Sequence, residues 1–129
     1  MAGFEPIARE LEALERVHAE LHAIAGRSDE RRRHDLVELR RRFSQQLADV
    51  GRLAEPFFAA MPDRSVEQDY RRRFSRIRSE AAAHQAKWPA IKVDEASELY
   101  RRSAVAVGEA HREFVAWMRE TLGGLERSS

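Results

Sequence analysis

Four times along this chain, large apolar residues recur in steps of three and four. Phe4, Ile7, Leu11, Leu14, Leu21 and Ala25 form the first set. Leu36, Leu39, Phe43, Gln46 or Leu47, Val50, Leu53 and Phe57 form the second. Tyr70, Phe74, Ile77, Ala81 and Trp88 form the third, and Tyr100, Ala104, Val107, Phe114, Met118 and Leu122 the fourth. That period draws one narrow stripe down an α-helix, and a stripe must be buried against another helix. No period-two alternation or β-branched run competes for a strand. Short connections force neighbouring helices to run in opposite directions. The expected fold is all-α, an antiparallel up-down-up-down four-helix bundle, with residues 1–129 as a single domain.

Punctuation residues set the expected helix limits. The first helix covers about residues 4–25, closed by Gly26 in the left-handed conformation that glycine adopts at helix ends. Ser28 is the expected cap of the second, about 29–60, with a break near Pro56, which lacks an amide donor. Ser65 and Gln68 read as a capping box opening the third, about 66–87, which Pro89 ends. Asp94 is the expected cap of the fourth, about 95–122. Gly123-Gly124 is the expected stop, leaving Leu125–Ser129 as a frayed tail.

Charged residues make up 35% of the chain, yet the formal net charge is only +1. Dense and balanced charge suits helix surfaces carrying i,i+4 pairs, and it argues against a nucleic-acid binder. The clusters Arg31-Arg32-Arg33, Arg40-Arg41-Arg42, Arg71-Arg72-Arg73 and Arg101-Arg102 fit that reading. Three consecutive residues fan over ~200° of a helix, so no triplet forms one patch. The chain has no cysteine, which removes disulfides and thiolate chemistry. No apolar run is long enough to cross a bilayer, and Met1–Arg9 lacks the pattern of a signal peptide. These features lead to the expectation of a soluble, cytoplasmic protein with no membrane partner.

Three of the five histidines lie on the stripes: His18, His84 and His111, each on a different helix. Bundle interiors are where metal and cofactor sites are built from facing helices, and imidazole is the commonest metal ligand. His22 adds an i,i+4 partner to His18, so His18, His22, His84 and His111 are the candidate ligands. A histidine on an apolar stripe is more often a core residue held by a hydrogen bond. Rise per residue also separates them. His18 lies ~10–12 Å and His84 ~5 Å from the end holding the first and third loops, whereas His111 lies ~24 Å down the fourth helix.

Several segments together resemble the hemerythrin-like, HHE cation-binding family. Leu14-Glu15-Arg16-Val17-His18-Ala19-Glu20-Leu21 is similar to the family's first-helix segment with its first His ligand. Leu47–Pro56 resembles the second-helix segment, Arg73-Phe74 through Lys87-Trp88-Pro89 the third helix, and Glu98–Leu122 the last. The resemblance implies a four-helix bundle and iron as the cofactor. It also implies ligands at positions occupied here by Gln46, Val50 and Ala116. Val50 and Ala116 carry no ligand atom. On this reading the chain is a degenerate relative that kept the bundle and His18, with His111, and lost the metal.

No nucleophile–base pair, phosphate loop or glycine-rich turn is visible, so no catalytic or cofactor-binding residue is assigned and no enzyme is expected. The sequence favours a non-catalytic protein acting by association with a protein partner or with its own copies in a regulatory role. Phe57, Phe58 and Trp117 are the candidate interface aromatics. One alternative is a hemerythrin-like metal or dioxygen-binding protein. Another is phosphotransfer at His34, beside Asp35, or anionic-ligand binding by surface arginines.

Overall fold

The stripes fold as their period predicts. A computed structural model describes residues 4–24, 26–89 and 97–128. It contains four helices: α1 (Phe4–Ile24), α2 (Arg32–Ala59), α3 (Arg64–Lys87) and α4 (Ser97–Ser128). α1 packs on α2 and α4, and α3 packs on the same two, so the helices form a ring in chain order. Residues that meet across α1 and α4 run in opposite chain order. Glu15 pairs with Arg119 and His18 meets His111. The same holds for α1 and α2, where Glu10 meets Gln46, Glu20 meets Arg42 and Ile24 meets Arg32. We call the end carrying the α1–α2 turn the upper end. No helix among the described residues is long and apolar enough to cross a membrane.

The turns differ from the sequence expectation, each for a local reason. Gly26 does not take a left-handed conformation. Instead the amides of Gly26 and Arg27 donate to the carbonyls of Ala23 and Ile24 at 3.2 and 3.0 Å, closing α1 with tight turns. The buried Arg32 adds a donor, its Nε reaching the Ile24 carbonyl at 3.2 Å. Ser28 does not cap α2, which starts at Arg32 after Arg31 with no side-chain cap. Asp29 organises this turn, accepting from the Arg31 amide at 3.2 Å while Arg27 clamps its carboxylate at 2.6 and 2.7 Å.

Pro56 does not break α2. It sits on the exposed face, where a missing amide is missed on the solvent side, and buried Ala54 and Phe58 anchor the helix around it. At α3 the cap is Asp63 rather than Ser65. Its carboxylate accepts from the Ser65 amide at 2.9 Å and the Ser65 hydroxyl at 2.6 Å, which holds the Asp63 carboxyl below its ordinary value. Trp88 closes α3, its amide donating to the His84 carbonyl at 2.9 Å before Pro89. Gly123 and Gly124 do not stop α4, which runs on to Ser128. A helical glycine costs about 1 kcal/mol, and burial of Leu122 with partial burial of Leu125 outweighs it. The expected cap Asp94, the stripe residue Ala25 and the third connection beyond Pro89 lie outside the described residues.

The core is built in two parts. A large lower cluster runs from Ile7, Leu11 and Leu14 through Phe43, Val50, Phe58 and Ile77 to Phe114, Met118 and Leu122. A small upper cluster holds Ile24, Leu36, Leu39, Trp88 and Tyr100. Leu21 touches both. Polar side chains stand where these clusters meet.

Candidate ligand-binding site

Each helix sends residues into that polar layer from a position on its own stripe. His18 lies four residues after Leu14 on α1. Arg40 lies four after Leu36 and three before Phe43 on α2. His84 lies three after Ala81 on α3, while Tyr100, Ser103, Ala104 and Val107 come from α4. All but Ser103, which bonds to His84, line a partly open cavity of about 60 Å³. Leu21, Leu36, Phe43, Ala81, Ala104 and Val107 give it apolar walls, and its polar lining is His18, His22, Arg40, His84, Gln85 and Tyr100. No carboxylate lines it among the described residues. His22 is exposed and stands at the opening.

The histidines are paired differently from the sequence expectation. His18 and His111 stack face to face, with centroids 3.9 Å apart and planes within 10°. Phe43 packs at an angle against both, at 6.1 and 6.2 Å. The ~24 Å depth assigned to His111 therefore does not separate it from His18. Ile24 and Tyr100 share the upper cluster, and levelling the helices there leaves the two backbones only ~7 Å apart in height. Side chains lean toward their own helix N-terminus. α1 and α4 run oppositely, so His18 leans down, His111 leans up, and the rings meet. His18 packs beside Gly108 of α4, where even an added Cβ would sit 3.9 Å from the ring, at ordinary contact distance.

His84 is held separately, its Nδ1 2.7 Å from the Ser103 hydroxyl and its ring 5.4 Å from Tyr100. Trp88 meets Tyr100 edge-on at 6.1 Å. Several buried polar atoms of the layer have no hydrogen-bond partner among the described residues: Arg40 Nη2, Trp88 Nε1 and both ring nitrogens of His111.

Burial governs the charges. It pushes His111 down to about 3, assisted by His18 and Arg112, and His84 down to about 4, assisted by Arg40. His18 is lowered by burial and then by His22 and Arg112. At neutral pH these three rings are uncharged. Arg40 is also lowered by burial, with Tyr100 opposing the shift, yet guanidinium keeps its proton at any physiological pH. Arg40 is therefore a permanent cation inside the layer, and no ion pair engages it among the described residues.

The remaining candidates fall elsewhere. Phe58 is wholly buried in the lower core, so it is not an interface residue. Phe57 and Trp117 are half-buried against that core, with Arg73 over the Trp117 ring at 5.5 Å. His34 is exposed, and its neighbour Asp35 pairs with Arg27 at 2.8 Å. Surface arginines are paired as expected, including Arg41 with Glu38 and Arg71 with Glu67. Arg40 was hidden within its triplet. Its place on the Leu36–Phe43 stripe was the signal that sets it apart from Arg41 and Arg42.

The donors do not fit the iron that the family resemblance implies. Gln46 is turned to α1, donating to the Glu10 carbonyl at 3.1 Å and to the Glu10 carboxylate. Val50 is fully buried in the core and Ala116 is exposed. Ring nitrogens bind metals in the plane of the imidazole at ~2 Å. Two parallel stacked rings cannot both aim at one ion, and no group of three metal-ligating side chains occurs among the described residues. Comparison with protein-family models, curated proteins and solved structures finds no match.

Proposed function

We propose that the protein is a non-catalytic binding module whose ligand occupies the polar chamber between the two core clusters. One observation carries this reading: polar groups from all four helices converge on a cavity that a simple bundle would fill with apolar side chains. Burying polar groups without partners is unfavourable, by roughly 1–3 kcal/mol each. Of the unpartnered atoms, Arg40 Nη2 belongs to a residue that lines the cavity, and a ligand that partners it offers a reason to keep it there. The size of the cavity limits the ligand. About 60 Å³ holds roughly four waters, hence a compact molecule and not a nucleotide.

Binding is favoured over catalysis by the chemistry of the hydroxyl–imidazole pair found among the described residues. His84 beside Ser103 has a basicity lowered to about 4, which makes it a weak base for activating a hydroxyl. Protein association, favoured from the sequence, rested on aromatics that pack in or against the core, so the chamber supports a function better. Thermal unfolding of the purified chain in the presence of compact polar compounds tests the reading. At least one should raise the Tm of the wild type and leave Ala104→Leu, whose larger side chain fills the chamber, unmoved. Equal shifts in both proteins, or none in either, would remove the proposal.

A further inference from the structure

We propose that the chamber's ligand is a small planar oxyanion of single charge, such as a carboxylate, nitrate or bicarbonate, bound through Arg40. This rests on the chamber reading above and adds the ligand's chemical class. Three observations on the layer agree with the shape of the guanidinium. Among the described residues its lining supplies one permanent positive charge and no carboxylate, so the field they set up inside is positive. Arg112 adds to that field from the His18–His111 side. Arg40 Nη2 is buried and has no hydrogen-bond partner, so a donor of the guanidinium fork is free. The fork is planar and matches a trigonal oxyanion with two parallel hydrogen bonds.

The neighbouring groups complete the cradle. Ser103 holds His84 by Nδ1. When the Ser103 hydroxyl donates to that nitrogen, the ring proton resides on Nε2, which then donates to the anion. Tyr100, in contact with both Arg40 and His84, supplies a phenol hydroxyl. Arg40 is the one permanent cation in the lining among the described residues, which favours a single negative charge over sulfate and the phosphate dianion. The volume agrees, since about 60 Å³ admits three or four heavy atoms.

Isothermal titration of the full chain at pH 7.5 with sodium acetate, nitrate and bicarbonate decides the matter, with acetamide as the uncharged match of acetate. Sodium gluconate, too bulky for the chamber, holds ionic strength constant. At least one anion should bind, and acetamide should bind at least tenfold more weakly (about the worth of a charge-assisted pair). Acetate alone binding identifies a carboxylate ligand; equal binding of all three identifies trigonal geometry as the recognised feature. Arg40→Gln should weaken the anion by about tenfold or more. Arg40→Lys, which keeps the charge but loses the fork, should weaken it less than Arg40→Gln does. Anion affinity unchanged in Arg40→Gln, or acetamide binding as well as acetate, overturns the anion assignment. If Ala104→Leu still abolishes binding of the neutral probe, the chamber reading survives that result. If neither charged nor neutral probes bind the wild type, the anion assignment falls, and the broader thermal screen then decides the chamber.

Discussion

His111 is among the most buried polar residues in the chain, at 5% exposure, and neither ring nitrogen has a hydrogen-bond partner. Its ordinary value of 6.5 falls to about 3 in the fold, chiefly through burial. The unfolded chain therefore takes up a proton near pH 6.5 that the folded chain refuses. Below that pH the unfolded state binds more protons, so stability drops with falling pH. The contribution is fully present above about pH 6.5 and shrinks as pH falls toward 3. From pH 7 to pH 5, His111 accounts for a loss of about 2 kcal/mol. His84, lowered to about 4, acts in the same direction over the window from 6.5 to 4. Replacing His111 with leucine removes its share. Urea denaturation of His111→Leu should show an acid limb shallower by about one proton, with stability at pH 7 equal to or above wild type. An unchanged limb would mean that His111 is solvated or charged in the folded state. The position of His111 on the stripe was plain from sequence, but its stacking on His18 was not. Rise per residue gives the height of a backbone atom, and the encounter depends on opposed side-chain tilts and on the offset between α1 and α4.

The helices themselves show which sequence signals prevail. Ile7, Leu11, Leu14, Leu36, Leu39, Phe43, Val50, Ile77, Phe114 and Met118 were legible as core because large apolar side chains at helical spacing must be buried, and they are. Pro56 was misread as a break and Gly123-Gly124 as a stop, and Gly26 follows the end of α1 without the left-handed conformation expected of it. A glycine permits a left-handed turn without requiring one, and a proline on the exposed face omits an amide that the core does not use. Flanking burial decides each case. The same logic gives opposite predictions for two glycines inside helices. A Cβ on Gly51 would lie 2.7 Å from Phe74 Cζ, with two more ring atoms within 3.4 Å. Phe74 stacks on Tyr70 at 5.5 Å and leans on Phe114 at 5.8 Å, so its ring has nowhere easy to go. Gly51→Ala gains about 1 kcal/mol of helix propensity against an overpacking penalty of about 1–3 kcal/mol. It should unfold at lower urea concentration than wild type. At Gly108 the tightest neighbour is the flexible tip of Arg112 at 3.3 Å. Gly108→Ala should therefore stabilise the protein, by up to about 1 kcal/mol. Midpoints that move in the same direction for both substitutions would refute the packing account.

At the scale of the whole molecule, the division of the core predicts where the bundle opens first. Among the described residues the lower cluster has sixteen buried members and the upper one five. Between them stand His18, Arg40, His84 and His111, which contribute little apolar burial, and Arg40 and His111 carry unpartnered polar atoms. Cooperative unfolding needs continuous packing, and a polar layer weakens the link across it. Leu21 and Phe43 are the main apolar bridges, since Leu21 touches both clusters and Phe43 joins the lower cluster while lining the chamber. Local openings that separate the upper ends of the helices should thus require less free energy than global unfolding. Native-state hydrogen exchange tests this at individual amides. Those near Leu21–Ile24, Leu36–Leu39 and His84–Lys87 should exchange through a sub-global opening that depends little on urea. Those near Leu11–Leu14, Leu47–Val50 and Phe114–Met118 should exchange only with global unfolding. An anion seated on Arg40 would tie α2 to α3 and α4 across the layer. Adding whichever oxyanion binds should then raise protection in the upper set and narrow the gap between the two sets. Uniform protection in the unliganded chain would show that the polar layer transmits cooperativity as well as an apolar core does, which would remove the energetic reason for looking to a ligand.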